Sequence, residues 1–179
     1  MQIELPRAVE VSQAFTGWRL TNPILARLSV EYPQPHEALR RFGLALSAQG
    51  QTEPALGVLK AALALAPEEA DLWNDLAGAS YRAGRYAEAA AAQRRSLDCD
   101  PAQPQGWLLL AAIDSALGDV VAAEAGYLAA LKLDPHLSEA AFGLGILCFQ
   151  RRQFTEAVKW LRQSIADGGR HMGLYVCLG

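Results

Sequence analysis

Pro33, Pro67, Pro101 and Pro135 stand 34 residues apart without slippage, and this interval constrains the fold more than any other feature of the chain. Self-similarity at a constant period of about 20–50 residues marks a chain built from stacked copies of one supersecondary unit. Amphipathic stretches precede the later prolines, as in KAALALAP, RRSLDCDP and AALKLDP. Proline lacks an N–H and has a fixed φ, so each one stops the helix before it and separates one unit from the next.

With proline at position 32, the units run 36–69, 70–103, 104–137 and 138–171. Residues 1–35 precede them as an N-terminal helical cap or divergent repeat, and 172–179 follow as the truncated start of a fifth unit. Gly50, Gly84 and Gly118 fall near position 15 and divide their units into two helices. Helix A is expected over 36–49, 70–83, 104–117 and 138–151, and helix B over 53–65, 87–99, 121–133 and 155–166. Pro54 is no obstacle, because a first-turn residue has no use for its N–H.

Three positions explain why such pairs would stack. Position 8 holds Gly43, Ala77, Ala111 and Gly145; position 20 holds Ala55, Ala89, Ala123 and Ala157; position 27 holds Ala62, Ser96, Ala130 and Ser164. All are small, which lets helix axes approach toward the short end of the usual ~8–10 Å separation. Large apolar groups fill the space between: Phe42, Leu76, Leu110 and Leu144 at position 7, Leu63, Leu97, Leu131 and Ile165 at position 28. Position 4 carries Leu39, Trp73, Trp107 and Ala141.

The pattern W-x2-L-[GA], with small residues at positions 20 and 27 and proline at 32, resembles the tetratricopeptide repeat. The closest copy runs from Ala70 to Pro101, with Trp73, Leu76, Tyr86, Ala89, Leu97 and Pro101, and the resemblance covers about residues 36–179. Departures are Gln93 at position 24 of the second copy, Ala141 at position 4 of the fourth, and Gly169 in place of its proline. The resemblance implies an all-α, right-handed solenoid of antiparallel helix pairs.

At the N-terminus, one helix is expected near Arg7–Thr16, ending before Gly17, and a second from Asn22-Pro23, a cap followed by proline. Val11, Phe15, Ile24, Leu25 and Leu28 would cover the end of the first unit. At the other end Tyr175, Leu178 and Gly179 continue the phase as positions 4, 7 and 8 of a fifth unit. Stopping there would leave half a helix uncovered, so the chain reads as part of a longer protein, with self-association through that half-repeat as a further expectation.

The family resemblance further implies that positions 2, 5, 9, 12 and 13 of helix A line a concave groove for a peptide. The groove residues expected here are Arg40, Asn74, Tyr81 and Arg82 in the first two copies, then Leu108, Ala112, Phe142, Ile146 and Phe149 in the last two. A carboxylate clamp would need basic residues and asparagines at facing positions. Only Arg40, Arg41, Asn74 and Arg82 approach one, and Asp71 and Asp75 oppose it. An asparagine ladder along position 6 is missing, since Arg41, Asp75, Leu109 and Gly143 stand there. What remains is polar in the second copy and apolar beyond, suited to an amphipathic helix or extended segment with apolar anchors.

Chemistry is not expected of this chain, and neither is a cofactor or a metal. His36, His136 and His171 lack metal-ligand spacing and read as surface residues. Gly143 and Gly145 form a GxG without a third glycine or a preceding strand. A formal charge of −3 and scattered basic pairs, Arg40-Arg41, Arg94-Arg95 and Arg151-Arg152, give no footprint for nucleic acid and read as solvated helix faces. The apolar run from Ala140 to Phe149 is about half the ~20 residues a membrane span requires. Cys99, Cys148 and Cys177 lack CxxC spacing and read as buried thiols of a cytoplasmic protein. With 51% apolar residues in 179, the chain has enough to bury a core as one domain.

The expectation is therefore a non-catalytic, cytoplasmic scaffold that holds a protein or peptide. The alternatives are the N-terminal recruiting region of a larger enzyme, such as a bacterial glycosyltransferase or methyltransferase fusion, and a secretion chaperone.

Overall fold

The computed structural model describes residues 3–169. Among them ten helices follow one another with no strand: α1 (Ala8–Thr21), α2 (Pro23–Glu31), α3 (Pro35–Ala48), α4 (Thr52–Leu65), α5 (Ala70–Arg82), α6 (Tyr86–Cys99), α7 (Pro104–Ala116), α8 (Val120–Leu133), α9 (Ser138–Gln150) and α10 (Phe154–Ala166). The chain forms two compact units, one ending at Pro101 and the other beginning at Ala102, where composition alone had suggested one domain. In the first, α3 pairs with α4 and α5 with α6; in the second, α7 pairs with α8 and α9 with α10.

The turn inside each pair is a backbone problem solved at position 15. Gly50, Gly84 and Gly118 take φ of 75°, 72° and 80°, the left-handed region that side chains disfavour. The fourth copy puts Arg152 there, at φ 60°.

The small positions are where the helices meet. At positions 20 and 27, Ala55, Ala62, Ala89, Ala123 and Ala130 are wholly buried, as are Ser96 and Ser164. A Cβ on Gly145 would lie 2.6 Å from Leu161 Cδ2, so a side chain at position 8 of α9 would push α10 away. Serine at position 27 is accommodated in the second copy because Ser96 Oγ donates to the Ala70 carbonyl at 2.9 Å. Trp73 Nε1 donates to the Pro67 carbonyl at 2.7 Å, which ties position 4 to the proline that precedes it.

Several expectations need correction. α1 does not stop before Gly17 but runs to Thr21. A helical glycine costs only about 1 kcal/mol, which the packing of α1 against α2 and α4 offsets. The break comes at Asn22, whose Oδ1 accepts from the N–H groups of Ile24 at 3.0 Å and Leu25 at 3.1 Å. Val11, Phe15 and Leu25 are buried, but Ile24 is exposed. Ile165 is also exposed, although its counterparts Leu63 and Leu131 are buried. The difference is that α4 packs on α5 and α8 on α9, whereas no described helix follows α10. Cys148 is buried and Cys99 exposed. The expected fifth unit, with Tyr175, Leu178 and Gly179, lies outside the described residues, as do His171, Cys177 and the half-repeat surface.

Candidate functional site

In the first unit the expected groove residues Arg40, Asn74, Tyr81 and Arg82 sit on α3 and α5. Arg40 is not a solvated cation awaiting a ligand. Its Nε is 2.6 Å from Asp75 Oδ2, and its Nη1 is 3.2 Å from Asp71 and 3.7 Å from Glu37. Burial works against the Arg40 charge, but the hydrogen bond to Asp75 and the three carboxylates hold the guanidinium above its ordinary value. Burial likewise pushes the Asp75 carboxyl up, against the pull of Arg40.

At the other end of the same two helices, Arg82 Nη2 donates to Ser47 Oγ at 2.8 Å. Both cross-links, Arg40 to Asp75 and Ser47 to Arg82, join residues 35 apart, one period plus one, so α3 and α5 are laced twice. Tyr81 stands 5.5 Å from the ring of Tyr86 at a tilt of 53°. This face is polar and largely occupied by its own contacts, and Arg82 is its exposed cation.

In the second unit the expected residues behave differently. Leu108 and Ala112 lie on α7, and Phe142, Ile146 and Phe149 on α9. Steps of four and three residues place the last three on one helical stripe. Leu108, Ala112, Phe142 and Ile146 are half-buried, whereas Phe149 is 43% exposed. Leu108 packs against a buried cluster that includes Tyr127, Leu131, Leu144 and Leu147. The ring of Phe149 meets Phe154 edge-on at 5.7 Å.

Gly143 lies within this stretch, and its role escaped sequence reasoning. A Cβ there would fall 2.4 Å from Tyr127 Cζ, so the glycine is the seat of the Tyr127 ring and the GxG belongs to packing.

Two further features carried no sequence signal. His136 Nδ1 lies 2.8 Å from Asp167 Oδ1, so this surface histidine has a partner 31 positions away. A cavity of about 610 Å³ opens between α1, α2, α3 and α4, lined among others by Trp18, Leu25, Leu39, Phe42 and Val58. Phe42 therefore borders open space instead of filling it. Among the described residues no group of three His, Cys, Asp or Glu could hold a metal ion, and no helix is long and apolar enough to cross a membrane.

The sequence profile of the tetratricopeptide repeat matches residues 40–104 and 108–170. The chain belongs to the tetratricopeptide repeat family. One similar tetratricopeptide protein is the Hsp70-Hsp90 organizing protein of Triticum aestivum, 34% identical over 99 residues, which are 55% of this chain and 17% of that protein. The chain thus spans less than a fifth of that relative. Among solved structures, pilF of Pseudomonas aeruginosa superposes with a TM-score of 0.77 at 16% identity, covering 95% of this chain and 80% of its own. YrrB, described as a tetratricopeptide protein with an unusual peptide-binding site, superposes with a TM-score of 0.74 at 15% identity, covering 96% and 91%. At these identities the structures establish the shared tetratricopeptide fold.

Proposed function

We propose that this chain is a non-catalytic interaction scaffold whose second unit holds an apolar segment of a partner protein, as an amphipathic helix or an extended strand, against α7 and α9. The observation that carries this reading is the stripe Phe142, Ile146 and Phe149, in which Phe149 is 43% exposed and the other two are half-buried on the helix-A side. A surface helix normally turns such residues inward, and contiguous exposed apolar surface marks a partner site. The peptide-binding character of YrrB lends support by analogy. The first unit suits a clamp for a terminal carboxylate poorly, because Asp71, Asp75 and Glu37 already neutralise Arg40.

Selection from a random peptide library on the full chain tests the proposal. Enriched peptides should carry two or three large apolar residues at helical or alternating spacing. Phe142→Glu, which buries a charge under the ligand but leaves a half-exposed helix position folded by circular dichroism, should weaken them by roughly 2–3 kcal/mol. Peptides that bind Phe142→Glu and Ile146→Glu as well as the unchanged chain would refute the placement.

A further inference from the structure

The residues before α1 are not idle. Ile3 and Leu5 are half-buried while Glu4 between them is exposed, the alternation of an extended segment that turns one face to the protein. Both apolar side chains line a cavity of about 710 Å³ on the second helix pair, together with Pro67, Trp73, Ala91, Arg94 and Arg95. This cavity lies in the first unit and involves none of the groove residues on α3 and α5. Its floor is the indole of Trp73, 4% exposed and fixed by the bond from Nε1 to the Pro67 carbonyl. On one side the Arg95 guanidinium lies 5.9 Å from the Trp73 ring centroid.

We infer that this cavity is a second peptide site, for an extended apolar-x-apolar segment, and that the chain's own residues 3–5 occupy it in cis as a displaceable strap. Two aliphatic side chains two residues apart line the cavity together with its aromatic floor, while the intervening Glu4 turns outward. Open space remains beside Ile3 and Leu5, so the seat is bordered but not sealed by them.

A tethered ligand competes with a free one through its effective concentration, about millimolar for a short linker. If the free segment binds with a Kd of about 0.1 mM, the strap leaves the site open about one-tenth of the time, and cis occupancy weakens a competitor about tenfold. The experiment uses the full chain throughout. A fluorescein-labelled peptide of residues 3–7 is titrated by anisotropy against the unchanged protein and against Ile3→Glu combined with Leu5→Glu. The opened variant should bind the peptide about tenfold more tightly. Adding Ala91→Arg, on the half-exposed face of α6, should abolish the gain. Arg95→Ala, at an exposed position, should reduce it and serves where Ala91→Arg disturbs the helix. Equal or undetectable binding by both proteins, or a gain that survives both cavity variants, overturns the inference. Phe142→Glu should leave this binding unchanged, so the outcome is independent of the second unit's stripe.

Discussion

Arg152 occupies the one position where three copies of the unit use glycine, and it does so at φ 60°. A left-handed backbone costs a side-chain-bearing residue about 1–2 kcal/mol, part of which glycine returns through its freer unfolded chain. Arg152→Gly should therefore stabilise the protein by about 1 kcal/mol, read as a higher urea midpoint at unchanged slope. His136 makes a different prediction. The hydrogen bond to Asp167, then the charges of Asp167 and Asp134, raise its pKa above the ordinary 6.5. The protonated pair thus stabilises the fold in full below the unfolded value of 6.5, and that contribution is lost as pH rises through the higher folded value. His136→Gln should lower Tm more at about pH 5.5 than at about pH 8.5. A loss that is the same at both values would show that the pair does not form.

At the scale of the helix, one substitution should have opposite signs at two glycines. Alanine is preferred over glycine in a helix by about 1 kcal/mol. At Gly57 on α4 a new Cβ meets nothing within 4 Å, so Gly57→Ala should gain roughly that amount. At Gly143 the Cβ would fall 2.4 Å from buried Tyr127, and overpacking of about 1–3 kcal/mol outweighs the propensity. Gly143→Ala should therefore destabilise, and denaturant titration of both variants checks the contrast.

That pair also shows where sequence reasoning reaches its limit. Within the four copies the helix boundaries were legible to within a residue or two, because proline at 34-residue spacing and small residues at positions 8, 20 and 27 are local, repeated signals. The seating of Tyr127 on Gly143 was not, since it depends on how α8 lies across α9, and neither residue departs from a pattern that would reveal it. The same holds for α1, where packing on α4 carries the helix through Gly17. Of the groove residues, the opposition of Asp71 and Asp75 to a clamp could be read from charge alone. That all three carboxylates converge on the single Arg40 guanidinium required the geometry.

Across the whole molecule, the two units present chemically different helix-A faces. In the first, charges are paired within the protein and Arg82 stands exposed at one end. In the second, the stripe of Phe142, Ile146 and Phe149 carries no ionisable group. Stability in repeat proteins is shared between neighbouring repeats, yet recognition need not be. The unlike faces give an operational way to tell which one a partner uses. Association through α9 alone should show a negative heat-capacity change and stay level from low to high ionic strength. Association that engages Arg82 should weaken as salt is added, and calorimetry in two buffers would separate the cases before any complex is solved.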